Sequence, residues 1–191
     1  YFLKEYGRET KFIPNGVNKL EIREADEIKK WGLEKDNYVL YLGRIVPEKG
    51  EHYLVEAWKK IESNKKLVIA GGISDTAGYG KELKELSRDD DRIIFTGFVQ
   101  GRVLEELYSN AYIYCLPSDL EGMPLSLLEA MSYGNCCLVS DIDECKEVVE
   151  DKGVTFKRGN VESLREKLER LLGDKEVVEK YKKEASTFIT K

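Results

Sequence analysis

Short runs of consecutive apolar residues alternate with longer amphipathic stretches from about residue 38 onward. An apolar run without polar alternation is typical of a parallel strand covered on both faces, whereas apolar positions three and four apart indicate a helix. The pattern therefore predicts alternating strands and helices. The predicted strands are 38–42, 67–70, 93–95, 112–116, 136–139 and the short run 154–156, and the predicted helices include 51–61, 103–108 and 161–172.

Repetition of strand, helix and strand at this spacing implies right-handed crossovers between parallel strands. We expect an α/β fold, a Rossmann-like doubly wound parallel sheet of about six strands with helices on both faces. Residues 1–16 combine a short helix at 1–6, a strand at 11–13 and a turn, which we interpret as the tail of a preceding domain or a linker. Residues 17–173 would form the main domain, and the Lys- and Glu-rich residues 174–191 a final surface helix.

Composition narrows the class of protein. The 191 residues include 31 basic and 36 acidic side chains, and a net charge of −5 argues against a nucleic-acid-binding module. The chain contains no apolar run of the ~18 residues that a membrane span needs, and its start does not resemble a signal peptide. It lacks an initiator Met, so we expect it to begin within a longer protein.

The chain has four cysteines but no Cys-x-x-Cys pair, and it has one histidine, so the ligands of a zinc site cannot be assembled convincingly. Cys115, Cys136 and Cys137 lie inside apolar runs, where a free thiol behaves as a small hydrophobic group. Together with Cys145 they are expected to be reduced, structural thiols of a cytoplasmic protein.

One candidate site follows the first predicted strand, where residues 42–50 read Leu-Gly-Arg-Ile-Val-Pro-Glu-Lys-Gly. Arg44 and Lys49 precede the helix that starts near Gly50, although a helix N-terminus favours anions because of its free amides and its macrodipole. Glu48 offsets only part of this conflict. A phosphate group would resolve it, with Arg44 as a forked donor and Lys49 as a point charge. An exposed loop whose cations contact only water explains the segment equally well.

A second candidate site follows the fourth predicted strand. Pro124 suits the first position of a helix, which would leave the amides of Leu125 and Ser126 free to bind an anion. Glu129 lies four residues beyond Leu125, so its side chain tilts back toward the helix start, and Glu121 lies in the preceding loop. Two carboxylates beside free amides suit the hydroxyls of a sugar or ribose next to a phosphate. The alternative is a helix-capping Glu121 and an exposed Glu129.

The topology of a doubly wound sheet would bring these two candidates together. Its first and fourth strands are neighbours at the switch point, and ligands bind in the crevice outside the strand carboxyl ends there. The Arg44 loop follows strand one, and the Glu121 loop follows strand four. The chain contains no Gly-x-Gly-x-x-Gly and no Walker sequence, which argues against a conventional dinucleotide site.

These motifs resemble those of the retaining, nucleotide-sugar-dependent glycosyltransferases of family 4, or group 1, which have the GT-B architecture. The similarity extends from about residue 13 to about residue 172, and the order and spacing of its landmarks are highly specific. The landmarks are Ile13-Pro14-Asn15-Gly16-Val17, Gly43-Arg44 with Pro47-Glu48-Lys49-Gly50, Ile69-Ala70-Gly71-Gly72, Phe95-Thr96-Gly97-Phe98-Val99, Pro117-Ser118, Glu121 and Glu129 with seven residues between them, Ala130-Met131, Gly134 and Ser140-Asp141. The resemblance implies that this chain is one half of a GT-B fold, the C-terminal domain that binds the donor.

The resemblance also implies a role for each matched residue. Arg44 and Lys49 would hold the donor diphosphate, and Glu121 would contact the transferred sugar, so these three form the predicted catalytic set. Glu129 would contact the ribose hydroxyls, and the segment after residue 97 would lie against the base. The predicted nucleotide-sugar contacts are Gly43, Phe98, Val99, Met123, Leu125, Ser126 and Glu129, with no metal ligand among them.

Two positions depart from the family pattern. Many relatives have Gly where Pro124 stands, so the phosphate must rely on the amides of Leu125 and Ser126. The family usually places a histidine near the reacting sugar in a separate N-terminal domain, which we expect this chain to lack, and His52 does not match it. We therefore interpret His52 as a surface residue and expect the chain to bind donor without turnover.

By resemblance, the full enzyme moves a hexose from a nucleotide-sugar, with a UDP-sugar as the expected donor, to a sugar or lipid-linked acceptor. The transfer would retain the anomeric configuration and need no cofactor and no obligatory metal. The acceptor would bind through the missing N-terminal domain, and no nucleic acid would be a partner. We expect a cytoplasmic location, and leave open a peripheral contact of the full-length enzyme with the inner face of the membrane.

Two alternative functions are a non-catalytic sugar-nucleotide-binding domain and a GT-B sugar-nucleotide epimerase. The complete set of Arg44, Lys49, Glu121 and Glu129 argues against the first, because a degenerate domain has little reason to keep all four. Epimerisation of a donor in the absence of acceptor would reveal the second.

Overall fold

A computed structural model describes residues 2–11, 16–17, 20–73 and 77–189. Its strands are β1 (Tyr38–Leu42), β2 (Lys66–Ala70), β3 (Ile93–Gly97), β4 (Ile113–Leu116), β5 (Cys136–Ser140) and β6 (Val154–Phe156). They form one sheet in the order β3-β2-β1-β4-β5-β6, and every neighbouring pair is parallel. This is the doubly wound order expected from the sequence, with β1 and β4 adjacent at the switch point.

Helices connect these strands and flank the sheet. They are α1 (Phe2–Tyr6), α2 (Glu51–Trp58), α3 (Ala77–Leu86), α4 (Gly101–Asn110), α5 (Leu125–Ser132), α6 (Asp143–Val149), α7 (Val161–Gly173) and α8 (Lys175–Ile189), with short 3₁₀ turns at Glu27–Trp31 and Pro47–Lys49. Because the chain runs outward from β1 to β3 and then in the opposite direction from β4 to β6, right-handed crossovers place helices on both faces. Helix α2 packs against α3 and α7, and α5 packs against α6 and α8.

The central strands are buried along their length because helices cover both faces. Every side chain of β4 and β5 is buried, as the uninterrupted apolar runs predict. The four cysteine thiols are free and buried in this core. Burial raises the pKa of Cys136 and that of Cys145 to about 12, so both thiols stay protonated at neutral pH and pack as small apolar groups.

The observed elements differ from the predicted ones mainly at their ends. Strand β3 continues two residues further than predicted, and α2 ends at Trp58, three residues earlier. Helices α3 and α6 were not assigned from the sequence. The first contains Gly78 and Gly80, which weaken its helical pattern, and the second has only seven residues. Most of the strand expected at 11–13, and of the turn after it, lies outside the described residues.

The C-terminal helix packs against the sheet, and a segment near the N-terminus is bonded to helix α4. The C-terminal helix α8 lies at the surface, but it packs one apolar face against β5 and α5. Val178 and Ala185 on this face are fully buried. Near the N-terminus, the backbone amides of Asp26 and Ile28 donate hydrogen bonds to Oε2 of the buried Glu106. The N···O distances are 2.9 and 3.3 Å. Among the described residues, no helix combines the length and the apolar character needed to cross a membrane.

Candidate functional site

The crevice forms where the carboxyl ends of β1 and β4 lie side by side, and two glycines allow the surrounding loops to meet. The backbone of Gly50 has a φ of 71°, and a Cβ there would lie 2.2 Å from the carbonyl oxygen of Pro117. A Cβ at Gly71 would lie 1.7 Å from the carbonyl oxygen of Gly43. Only glycine permits these approaches, so the loops after β1, β2 and β4 are in direct contact at the switch point.

A cleft of about 320 Å³ opens beside this contact and contains four predicted site residues: Gly43, Arg44, Phe98 and Val99. The side chain of Phe98 follows the last residue of β3 and is 73% exposed, which is unusual for a large apolar group. The guanidinium of Arg44 is exposed and has no ion pair or hydrogen bond with the described part of the chain. The cleft therefore combines an apolar lining with a cation whose donors are unused. Its other lining residues are Leu42, Ala70, Gly71, Gly72 and Ile73.

Lys49 and Glu121 form an ion pair that joins the loops after β1 and β4. Nζ of Lys49 lies 2.6 Å from Oε1 of Glu121, and the two side chains are only 17% and 6% exposed. The hydroxyl of Ser118 donates to the same oxygen at 2.7 Å. This geometry contradicts two alternatives that the sequence left open: Lys49 does not contact only water, and Glu121 does not cap the helix that follows.

Helix α5 begins at Leu125, one residue later than predicted. Pro124 is its N-cap residue, with φ −76° and ψ 87°, and does not occupy the first helical position. The amides of Leu125 and Ser126 have no acceptor within the described ranges, as an anion site requires. Met123 is half-buried in the loop just before them. The correction to the helix start therefore leaves the predicted pair of free amides unchanged.

Two buried tyrosines lie beneath the first turns of α5. The hydroxyl of Tyr108 lies 3.0 Å from Oε2 of Glu129, and that of Tyr114 lies 2.9 Å from Oγ of Ser126. The Tyr114 hydroxyl is also 3.3 Å from the carbonyl oxygen of Leu42, a residue of the cleft. Glu129 is thus anchored from inside the protein, contrary to the alternative of an exposed side chain. Glu129 shares no hydrogen-bond partner with Glu121, the other predicted carboxylate. The partners of Glu121 are Lys49 and Ser118.

A further carboxylate near the crevice was not singled out from the sequence. Glu51, the first residue of α2, is fully buried, and its Oε2 accepts the hydroxyl of Tyr79 at 3.0 Å while Oε1 has no partner. Burial raises the pKa of Glu51 to about 7, although hydrogen bonds oppose the shift. His52, expected at the surface, is half-buried with Nδ1 2.9 Å from the same hydroxyl, and burial lowers its pKa. No sequence signal marks Glu51, because an acidic residue in a first helical turn is ordinary.

The part of the chain that forms this crevice matches a known protein family. The family model for glycosyl transferases of group 1 matches residues 23–188. The chain belongs to the group 1 glycosyltransferase family. The motif resemblance is therefore confirmed, and the doubly wound sheet is one half of the GT-B architecture. Within the described ranges, no three His, Cys, Asp or Glu side chains are grouped as metal ligands.

This chain spans about half the length of the curated relatives that it matches. An uncharacterized glycosyltransferase of Methanocaldococcus jannaschii is 31% identical over 176 residues, covering 86% of this chain and 45% of the relative. The UDP-Gal:alpha-D-GlcNAc-diphosphoundecaprenol alpha-1,3-galactosyltransferase of Escherichia coli is 29% identical over 182 residues, covering 85% and 45%. The structure of Anabaena HepE in complex with UDP and glucose superposes with a TM-score of 0.79 at 19% identity, covering 85% of this chain and 46% of that one. The chain therefore corresponds to about half of each of these proteins.

Proposed function

We propose that this group 1 glycosyltransferase domain binds a nucleotide-sugar donor, with UDP as its nucleotide, in the crevice between β1 and β4. The observation that carries the proposal is the distribution of positive groups there. The guanidinium of Arg44 and the amides of Leu125 and Ser126 are uncommitted among the described residues, and they flank the one switch point of the sheet. A diphosphate matches this set of cationic and amide donors.

Support for the choice of nucleotide comes from the proteins that the chain resembles. The Escherichia coli relative is named as a transferase that uses UDP-Gal, and the Anabaena structure contains UDP and glucose. The relatives described above carry transferase names, which favours group transfer over epimerisation or mere binding. In the proposed function, the full-length enzyme moves a hexose with retention to a sugar or lipid-linked acceptor on the cytoplasmic side of the membrane.

In this proposal the chain's own residues stabilise the departing nucleoside diphosphate. As the bond from the sugar to the diphosphate breaks, negative charge grows on the leaving phosphate oxygen, and preorganised cations and amides lower the energy of that state. Arg44 is free to bind the diphosphate through two parallel hydrogen bonds. Lys49 would be shared between phosphate and Glu121, whose position beside it suits a contact with the transferred sugar. Phe98 and Val99 would lie against the base, and Glu129 against the ribose.

Isothermal calorimetry with UDP, GDP and ADP tests this proposal. We expect UDP to bind and the Arg44→Ala variant to lose about tenfold or more in affinity, since a hydrogen bond to a charged group contributes about 1.5–3 kcal/mol. Arg170→Ala is the matched control, because Arg170 is also exposed but lies at the end of α7. We also expect binding to persist in EDTA.

Three outcomes contradict the proposal. Failure of all three nucleotides to bind would refute it outright. An equal loss of affinity in the Arg44 and Arg170 variants would show that Arg44 does not bind the phosphates in the crevice. Loss of UDP binding in EDTA that added Mg²⁺ restores would show that the site depends on a metal.

A further inference from the structure

The hydroxyl of Tyr108 is bonded from inside the protein to Glu129, the residue expected to contact the ribose. The tyrosine is in the last turns of α4 and only 1% exposed. Its ring stacks on that of Tyr133, with centroids 5.2 Å apart and planes 12° from parallel. Packing on this side fixes the ring, so the hydroxyl has a defined place beneath α5.

This hydroxyl carries one hydrogen and has two acceptors within reach. Oε2 of Glu129 is at 3.0 Å and the carbonyl oxygen of Ser126 at 3.2 Å. The carbonyl lies in the first turn of α5, where it already accepts the helical amide four residues further on. The carboxylate is the stronger acceptor, so the hydrogen points to Glu129. Burial raises the pKa of Tyr108 well above its ordinary value, which keeps the hydroxyl protonated at any physiological pH.

The two oxygens of Glu129 are consequently not equivalent. Oε2 is bonded from inside the protein by Tyr108. Oε1 has no hydrogen-bond partner among the described residues. It is not a buried atom, and Glu129 is only partly buried, so solvent reaches Oε1. Free rotation of the carboxylate would break the bond to Tyr108. Only Oε1 is therefore presented outward, in an orientation fixed before any ligand arrives.

We propose that Tyr108 is a positioning residue: by holding Oε2 of Glu129, it presents Oε1 to the vicinal hydroxyls of the donor ribose. This inference rests on the proposed function and adds to it the residue that preorganises the ribose contact. A preorganised acceptor binds its ligand more tightly because less side-chain freedom is lost on binding.

Calorimetry with UDP and 2′,3′-dideoxy-UDP tests the positioning role, using Tyr108→Phe, Glu129→Ala and the double variant. Tyr108→Phe keeps the ring and removes only the hydroxyl, so we expect it to fold, which circular dichroism and the melting temperature will show. We expect it to weaken UDP binding about three- to tenfold, the range of one ordinary hydrogen bond. It should leave dideoxy-UDP binding unchanged, because that ligand lacks the hydroxyls that Glu129 would contact. In the Glu129→Ala background the tyrosine change should have no further effect.

Tyr133→Phe is the matched control for this experiment. Tyr133 belongs to the same aromatic stack, but its hydroxyl has no hydrogen bond within the described residues, so we expect UDP affinity to stay unchanged. Equal weakening of both ligands by Tyr108→Phe would assign Tyr108 a structural role and overturn the inference. A loss that persists in the Glu129→Ala background would overturn it as well.

The outcomes also separate this inference from the proposed function. UDP binding that responds to Glu129→Ala but not to Tyr108→Phe would refute the positioning role and leave the proposed function intact. If the unchanged chain binds none of UDP, GDP and ADP, the proposed function fails and the inference fails with it.

Discussion

Two carboxylates beside the crevice each accept a hydrogen bond from a tyrosine hydroxyl at 3.0 Å. On the β1 side, Glu51 of α2 pairs with Tyr79 of α3, and on the β4 side Glu129 of α5 pairs with Tyr108 of α4. The bonds are alike in length and chemistry, but their surroundings differ. Glu51 is fully buried with one oxygen unpartnered, whereas the second oxygen of Glu129 is open to solvent.

This difference shows that burial, and not the hydrogen bond, decides what such a carboxylate does. An ionised carboxylate in an apolar interior loses its hydration, and the hydrogen bonds that Glu51 accepts do not fully replace it. Burial accordingly raises the pKa of Glu51 to about 7, so this group gains a proton under conditions close to neutral. Glu129 keeps one oxygen in water, which leaves that oxygen available to a ligand.

The largest expected effect is on the pH dependence of stability, tested with Glu51→Gln. The pKa of Glu51 is raised from 4.5 to about 7 in the folded chain, so the folded state holds more protons than the unfolded state between these values. The free energy of unfolding should therefore fall as pH rises through this window, by up to about 3 kcal/mol, and level off above pH 7. Glu51→Gln should abolish the fall and make the chain more stable than the unchanged one at pH 8.

Urea denaturation at pH 5 and pH 8 measures this effect, with Glu129→Gln as the matched control. Glu129→Gln should leave the fall in stability between the two pH values in place, because Glu51 is unchanged in that variant. A pH profile that is unaltered by Glu51→Gln would show that Glu51 is ionised in the folded chain at little cost.

A smaller effect is expected when the tyrosine donors themselves are removed. Tyr79→Phe removes the hydroxyl that donates to Oε2 of the buried Glu51 and should lower the free energy of unfolding at pH 8 by about 1–3 kcal/mol. Tyr108→Phe should cost less, about 0.5–1 kcal/mol, because Glu129 is only partly buried and its carboxylate stays in contact with water through Oε1. Urea denaturation of both variants decides between these values. Equal losses would mean that burial does not distinguish the two pairs.

The last comparison concerns the two cations of the site, and the change at Arg44 is the smallest expected effect. Lys49→Met leaves the largely buried Glu121 with only Ser118 as a side-chain donor, and should lower the free energy of unfolding by about 1–3 kcal/mol. Arg44→Met should change it by less than about 0.5 kcal/mol, because Arg44 is exposed and unpaired within the described residues. Denaturation in urea without ligand measures both. A loss in Arg44→Met as large as that in Lys49→Met would contradict the observed pairing.

Local sequence patterns predicted the strands well because each strand contains a run of consecutive apolar residues, except β6, where Thr155 lies between Val154 and Phe156. All six predicted runs are strands, and their ends agree within two residues. Helices were harder to predict where the periodic signal is weak, as in α3 with its two glycines. The order of motifs around Arg44 and Glu121 was sufficient for the family, since those residues follow strands that a doubly wound sheet must place side by side.

The sequence by itself thus determined the fold class, the crevice and the family of this chain, because these follow from short-range patterns and from the rules of parallel sheets. Only the tertiary structure decided which charges are paired. The contact of Lys49 with Glu121 joins residues 72 positions apart, and the bond of Tyr108 to Glu129 joins two different helices. Burial of Glu51 is likewise invisible in the sequence, because the desolvation of a carboxylate depends on elements that pack around it from elsewhere in the chain.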